Sequence, residues 1–311
     1  MISVIQKQKL LSHLRTIGFF RGIRWWSDCR GGILIMHRVR KKIPKGWVAD
    51  PGLWTTIDVL NQAIDLFQSE GYEIIPLEQG LSRVAANKQP FLCLTFDDGY
   101  LDNYEILFPW AQTRNIPIAI YLTTGFLDRD RPAWWCGVET LARSCKNSAE
   151  KYQTICQLLR TLSPTKQTSF LGNLEKEYRL DFLTQTEGHY MTWEMARTMA
   201  ASGLVTLGVH THSHFAASAL TSKELEEELR KSDLRFYEEI GYKPSHFAFP
   251  YGDPSSVHSE ALEQVSNWGY KSAALSNSAL FSKKDPRAFP RLGLCDDRPI
   301  HNVLARLSID C

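Results

Sequence analysis

The sequence lacks an excess of charge of either sign. Its 36 Lys and Arg residues nearly balance its 34 Asp and Glu residues, which leaves a formal net charge of +2, and basic residues form no long run. We therefore expect no nucleic-acid partner, because proteins that bind nucleic acids carry a basic patch or stripe. The seven cysteines form no Cys-x-x-Cys pair and no regular spacing, so we expect free thiols in place of a disulfide framework.

Long apolar runs are also missing, and no stretch reaches the roughly 18 residues that a membrane-spanning helix requires. The first residues carry Lys and Arg throughout, without the apolar core and cleavage site of a secretory signal. These absences favour a cytoplasmic protein. Residues 1–28 are expected to form a helical extension, and their mixture of basic and apolar residues, with Trp25 and Trp26, is also typical of peripheral contact with a membrane.

The sequence does contain an alternation of short apolar runs with amphipathic helical patterns, and 43% of its residues are hydrophobic. Such runs are typical of parallel strands buried on both faces, so the pattern predicts an α/β fold whose sheet is open or closed into a barrel. Residues 29–311 are expected to form one domain, with a helical cap inserted at about residues 128–190, where the alternation is interrupted. The predicted strands are Gly31–His37, Phe91–Phe96, Ile116–Leu122, Val205–His210, His246–Pro250 and Lys271–Leu275, and the predicted helices are Thr55–Ser69, Leu101–Thr113, Thr192–Ala201 and Ser222–Ile240.

Acidic residues and histidines follow two of these predicted strands. Asp97 and Asp98 are adjacent carboxylates, which repel each other unless a proton or a cation separates them; a metal site is one interpretation and an Asp-Gly turn is the other. Downstream, His210, His212 and His214 lie within five residues. Because imidazole and carboxylate groups are suitable zinc ligands, Asp98 with two of these histidines predicts a metal site, whereas the histidines alone also fit a polar loop.

A third segment runs from a predicted strand into a turn that contains Pro250 and Tyr251, and such a turn can present backbone N–H groups to an oxyanion. Together, Thr-Phe-Asp-Asp-Gly at 95–99, His-Thr-x-x-His at 210–214 and the strand that ends in Pro-Tyr-Gly resemble the motifs of the polysaccharide deacetylases with a NodB-homology domain, carbohydrate esterase family 4. The resemblance covers about residues 30–295.

This resemblance implies a distorted (β/α) barrel of about seven parallel strands. It also implies a divalent metal, usually Zn²⁺ although other transition ions serve, that helps to hydrolyse the N-acetyl group of an amino sugar. Asp97 matches the family's general base, and the Tyr251 N–H matches its oxyanion donor, next to Pro250 in the substrate site. By position, the implied metal ligands are Asp98, His210 and His214, whereas His212 falls on a variable position.

Two departures from the family pattern require substitutes. Ala248 stands where the third motif usually has an arginine that orients the catalytic Asp, and Arg291 resembles the arginine that replaces it in one subgroup. The usual C-terminal Leu-x-His is absent, and His301 does not fit it. The segment Leu34–Val39 resembles an N-terminal strand of the permuted biofilm-polysaccharide deacetylases, which implies that His37 is the general acid. The alternatives are that Arg291 is an ordinary surface arginine and that His37 only closes its strand by bonding backbone groups.

The expected partner is a carbohydrate, either a polymer or a lipid-linked or nucleotide-linked precursor. Trp134 and Trp135 in the cap are candidates for stacking on a sugar ring, although paired tryptophans also pack in helical caps. Two other functions compete with this hypothesis. One is a metal-dependent amidohydrolase that acts on another amide, such as a formamido sugar, and the other is a carbohydrate-binding protein without catalytic activity.

Overall fold

A computed structural model describes residues 13–15, 19, 31–86, 89–276, 288–298 and 300–309. The strands are β1 (Gly31–Met36), β2 (Arg38–Arg40), β3 (Trp54–Thr56), β4 (Glu73–Ile74), β5 (Phe91–Asp98), β6 (Ile118–Leu122), β7 (Val205–Val209), β8 (His246–Ala248), β9 (Ser272–Ala274), β10 (Ala288–Phe289) and β11 (Leu292–Gly293). The helices are α1 (Ile57–Ser69), α2 (Leu77–Ala86), α3 (Phe108–Arg114), α4 (Thr124–Asp128), α5 (Trp134–Arg143), α6 (Ser148–Thr161), α7 (Pro164–Tyr178), α8 (Trp193–Ala201), α9 (Ser222–Ile240), α10 (Ser259–Asn267) and α11 (Ile300–Ile309), with a π-helical turn at Asn103–Leu107 before α3 and 3₁₀ turns at Pro51–Leu53, Thr184–Thr186 and Ala217–Ala219.

Nine strands form one sheet in which every pairing is parallel. The order along the sheet is β10-β9-β8-β7-β6-β5-β1-β11, and β4 adds to the beginning of β5. All residues of β1 and β5 are buried, as expected for central strands covered on both faces. Strands β2 and β3 pair separately.

The two edge strands, β10 and β11, are joined only by Pro290 and Arg291. Because so short a link spans little more than 10 Å, the sheet must curl until its two edges meet. This geometry confirms the predicted barrel. The sheet has nine strands where about seven were expected, and three of the nine, β4, β10 and β11, have only two residues each.

Helices α5, α6 and α7 form a cap between β6 and β7, and they pack around an apolar cluster of their own. Trp47, from the connection between β2 and β3, and Tyr251, which follows β8, pack against this cluster. The cap therefore covers the side of the barrel at which Tyr251 lies. Its buried members are Trp134, Val138, Leu141, Ala142, Tyr152, Leu159, Leu171 and Phe182.

Most of the proposed extension, residues 1–28, lies outside the described residues. Of its residues, Arg15 donates a hydrogen bond to the Glu70 carboxylate over 3.2 Å. Within the described ranges, no helix is both long and apolar enough to cross a membrane. The five cysteines that the structure describes are free thiols.

Candidate active site

The candidate residues meet at the carboxyl edge of the sheet. Asp97 and Asp98 are the last residues of β5, His210 follows β7 and His37 follows β1. Tyr251 lies three residues beyond β8. Because all these strands are parallel, their ends present these side chains on one side of the barrel, where the loops of such folds carry their reactive groups.

Asp98, His210 and His214 form a compact group, with one ligand atom of each within 4.8 Å of the others. Asp98 Oδ1 lies 3.1 Å from Nε2 of His214 and 3.5 Å from Nε2 of His210. Their side chains are only 4%, 2% and 7% exposed for Asp98, His210 and His214 respectively. Three potential ligands are thus held close together away from water.

The protonation and the hydrogen bonding of these side chains fit a divalent metal. His210 Nδ1 lies 2.8 Å from the carbonyl oxygen of Ala248, and since a carbonyl only accepts, this nitrogen carries the proton and leaves the lone pair on Nε2. Burial lowers the pKa of His210 to about 4, so the ring is neutral at pH 7. Asp98 Oδ1 faces Nε2 of both histidines and has no other hydrogen-bond partner among the described residues. One carboxylate and two imidazoles suit Zn²⁺ and similar transition ions.

The backbone around this group takes an uncommon conformation. Asp98, Thr211, His214 and Tyr251 have φ values between 60° and 74°, in the left-handed region. Such a conformation costs a non-glycine residue on the order of 1–3 kcal/mol and persists only where the surroundings impose it. Here the Thr211 hydroxyl accepts a hydrogen bond from the His214 N–H over 3.0 Å, which fixes the loop between the two histidines. His212 faces away, with Nδ1 2.9 Å from the Thr124 hydroxyl.

Asp97 is held by Arg291 in a bidentate ion pair. Nη1 and Nη2 of Arg291 donate to Oδ1 and Oδ2 of Asp97, each over 2.7 Å, and both side chains are almost completely buried. Arg291 also donates to the Thr95 hydroxyl and to the Leu275 carbonyl, which fixes the plane of its guanidinium. Burial alone raises the pKa of Asp97, but the charge and hydrogen bonds of Arg291, together with the neighbouring His210 and His37, outweigh burial and lower this pKa.

His37 and Tyr251 border the same space. The His37 ring is half-buried and lines a pocket together with Asp98 and His214. The ring of Tyr251 meets the His214 ring edge-on at 4.9 Å, and the guanidinium of Arg160 lies 4.5 Å from the ring centre of Tyr251. Among the described residues, the Tyr251 N–H has no hydrogen-bond acceptor.

A family model of polysaccharide deacetylases matches residues 85–273, more than half of the chain. The chain belongs to the polysaccharide deacetylase family. The protein is therefore a hydrolase that removes acyl groups from polysaccharide, as the motifs implied. No curated protein sequence matches the chain significantly.

The deacetylase shares its fold with several solved structures. It aligns with the Streptococcus pyogenes deacetylase PplD in complex with acetate at a TM-score of 0.62 and 14% identity, over 89% of this chain and 97% of that chain. IcaB from Ammonifex degensii gives a TM-score of 0.60 at 18% identity, over 89% and 97%. A de-N-acetylase from Aggregatibacter actinomycetemcomitans gives 0.62 at 16% identity, over 89% and 99%. These likenesses support the NodB-like barrel fold.

The pocket above the deacetylase's Asp-His-His group has a volume of about 220 Å³. Trp134 and Trp135 both line this pocket, but the ring of each also packs against other residues. Trp134 is 5% exposed and belongs to the cap's apolar cluster. Trp135 donates from Nε1 to the Tyr100 hydroxyl over 3.0 Å, and its ring meets the His214 ring at 5.0 Å. Pro250 is not part of the pocket lining; its carbonyl accepts a hydrogen bond from the Gly252 N–H over 2.7 Å and so shapes the turn.

Two supporting residues were not anticipated. Glu228 of α9 accepts hydrogen bonds from the N–H groups of His212 and Ser213, over 3.1 Å and 2.7 Å, and therefore holds the histidine loop. Burial raises the pKa of Glu228. Asn103, at the start of the π-helical turn, donates from Nδ2 to the His37 carbonyl over 2.9 Å and fixes the backbone that carries this ring.

Proposed function

We propose that this deacetylase hydrolyses the N-acetyl group of an amino sugar, in a polysaccharide or its precursor, with a divalent metal, Zn²⁺ by its donor set, held by Asp98, His210 and His214. The observation that carries the proposal is the juxtaposition of this buried group, two of whose members line the pocket, with the Asp97–Arg291 ion pair, since His210 Nε2 lies 3.9 Å from Asp97 Oδ2. When bound, such an ion supplies a Lewis acid that polarises a carbonyl oxygen and lowers the pKa of water. The de-N-acetylase among the structural neighbours also supports an amide substrate.

In this proposal Asp97 is the general base that takes a proton from the attacking water. A base must be ionised and correctly placed, and the bidentate contact with Arg291 supplies both conditions. Arg291 is therefore a positioning residue. Its two remaining hydrogen bonds, to Thr95 and Leu275, stop the guanidinium from rotating away when Asp97 becomes protonated.

Tyr251 and His37 serve the later parts of the reaction. The free N–H of Tyr251 donates to the oxygen that becomes negatively charged when water adds to the carbonyl. His37 gives a proton to the leaving amine, which departs poorly without one. Trp134 and Trp135 contribute apolar surface to the sugar site, and Pro250 acts indirectly, by fixing the turn that carries the Tyr251 N–H.

The test is acetate release by the metal-loaded protein, compared with Asp97→Asn. Substrates are N-acetylglucosamine oligomers, a nucleotide-linked N-acetyl sugar and a lipid-linked one. We expect release from at least one substrate and none with Asp97→Asn, which keeps the size of the side chain but removes its basicity. Release that persists in Asp97→Asn would refute the assigned base. No release from any substrate by metal-loaded protein would point instead to another amide, such as a formamido sugar.

A further inference from the structure

Arg160 lies between the cap and the active site. It is the residue before the end of α6, a helix of the cap, and its side chain lines the pocket together with Asp98 and His214. Among the described residues that line this pocket, Arg160 is the one lysine or arginine. The cap, and not the barrel, thus supplies the permanent positive charge in the pocket lining.

Arg160 makes two charged contacts, and both are with the turn that follows β8. Its guanidinium lies 4.5 Å from the centre of the Tyr251 ring, within the range of a cation–π interaction. It also forms an ion pair with the carboxylate of Asp253, two residues further along the turn. The side chains of this pair are 31% and 32% exposed, so the pair contributes little to the stability of the whole fold. Its effect is local, because it ties the cap to this turn.

The turn that Arg160 contacts has an uncommon backbone conformation at Tyr251. Tyr251 and Gly252 have φ values of 63° and 64°, which glycine adopts readily but tyrosine keeps only where its surroundings impose it. The Tyr251 ring contacts the Arg160 guanidinium and meets the His214 ring edge-on at 4.9 Å. Because a change of φ moves the ring relative to the backbone N–H, contacts that fix the ring also fix the direction of this N–H.

Asp253 connects Arg160 to the rest of the turn. Its Oδ1 accepts a hydrogen bond from the Ser255 N–H over 2.8 Å, while its Oδ2 faces Arg160. Its own N–H donates to the Ser256 hydroxyl over 3.0 Å. Asp253 therefore joins the hydrogen bonds of the turn to the cap, and the turn is held by the cap at both the Tyr251 ring and Asp253.

We propose that Arg160 is a positioning residue, which holds the Tyr251 N–H in the direction that the oxyanion donor requires. This inference rests on the proposed function. Arg160 acts through the Tyr251 ring and through Asp253, and not by binding the substrate. A donor that points in the wrong direction stabilises the developing negative charge less, because a hydrogen bond weakens steeply as its angle closes. The inserted cap thereby contributes to the reaction as well as to the pocket.

The first test compares Arg160→Gln with the wild type in acetate release from N-acetylglucosamine oligomers. Complete removal of an oxyanion donor costs about 10²–10³-fold in kcat, so we expect a misdirected donor to lower kcat by about 10-fold or more and to leave KM nearly unchanged. Asp253→Asn keeps an acceptor for Ser255 but loses the charge, and it should also lower kcat. The double variant should lose no more than Arg160→Gln alone. A raised KM with an unchanged kcat would overturn the proposal, because Arg160 would then bind the substrate.

Arg143→Gln is the matched control. Arg143 belongs to the same cap, its guanidinium lies 5.3 Å from the centre of the Trp47 ring, and it pairs with Glu139, but it does not line the pocket. This variant should keep the kcat and KM of the wild type. Equal losses of kcat in Arg143→Gln and Arg160→Gln would show that any loosening of the cap has this effect, and the specific role of Arg160 would be wrong.

Hydrogen exchange measured by mass spectrometry tests the positioning without turnover. Backbone N–H groups at residues 252–257 donate hydrogen bonds within the turn, so we expect this segment to exchange faster in Arg160→Gln and at the wild-type rate in Arg143→Gln. Unchanged exchange in Arg160→Gln would overturn the proposal. A wild type that releases no acetate from the oligomers would refute the proposed function with N-acetylglucosamine as its sugar, and the exchange rates would still decide whether Arg160 holds the turn.

Discussion

The ion pair between Arg291 and Asp97 makes a strong prediction about stability. The two side chains are 0% and 2% exposed, so replacing Arg291 by Met leaves a buried carboxylate without its counter-charge. Removing one partner of a buried pair costs on the order of 3–5 kcal/mol. The carboxyl can escape part of this cost by taking up a proton, since burial raises its pKa once the arginine charge is gone. A protonated Asp97 could not serve as the proposed general base.

We therefore expect Arg291→Met to lower the free energy of unfolding by about 3–5 kcal/mol at pH 7 and to abolish acetate release. Denaturant titration measures the first effect. In the double variant Asp97→Asn/Arg291→Met neither charge remains, so it should be more stable than the sum of the two single effects predicts. Arg197→Met is the control, because Arg197 is 48% exposed in its pair with Glu239 and should contribute no more than about 1 kcal/mol. Strictly additive effects, or a loss under about 1 kcal/mol for Arg291→Met, would refute the reasoning.

Three further predictions concern the acid, the metal and the pH dependence of stability. His37→Ala should lower amide turnover by about 10²–10⁴-fold and ester turnover far less. Asn103→Ala should act in the same direction, and the double variant should lose no more turnover than His37→Ala alone. Equal losses on amide and ester analogues would contradict both roles. His214→Ala should weaken binding of a divalent ion by more than the roughly 10–100-fold that is lost when a residue hydrogen-bonded to a metal ligand is removed. Metal analysis after dialysis measures this effect, and an unchanged metal content would exclude His214 as a ligand. Burial opposes ionisation of Asp128, but the hydrogen bonds from Arg235 and Trp193, together with the charge of Arg235, outweigh burial and lower the pKa of Asp128. The resulting stabilisation exists above the ordinary pKa of about 4 and is lost as the pH falls through the lower pKa of the folded state. Asp128→Asn should therefore cost about 1–3 kcal/mol at pH 7 and give a flatter loss of stability between about pH 5 and pH 2, and a pH profile parallel to that of the wild type would count against it.

The long central strands could be predicted from the sequence because their environment leaves a simple pattern. Phe91–Asp98 is buried throughout, and the mainly apolar run from Phe91 to Phe96 is typical of a strand covered on both faces. The two-residue strands β10 and β11 leave no pattern, since pairing of so few residues depends on where the rest of the sheet brings them. The parallel sheet could therefore be predicted from the apolar runs, whereas its closure into a barrel was implied only by the family resemblance, and the number of strands could be predicted from neither.

The supporting residues of the site show a similar division. The motif residues Asp98, His210 and His214 meet because parallel strands end at one edge, which sequence order alone predicts. Asn103 lies in a π-helical turn within a predicted regular helix, and one wider turn hardly changes the apolar spacing of the whole segment. Glu228 could have been singled out from the sequence, because it is a charged residue next to Leu229 on the buried side of α9.

The link of Pro290 and Arg291, which joins the two edge strands β10 and β11, bears on how much of the chain the proposed active site requires. The family match ends at residue 273, so the matched segment holds Asp97 and the three candidate ligands but neither Arg291 nor the strand β1 with the following His37. A fragment cut at those limits would leave β5 without its neighbour β1 and Asp97 without its counter-charge. Barrel closure and the placement of the proposed base therefore depend on the same two residues, and the segment that identifies the family is shorter than the segment that holds all the proposed catalytic residues.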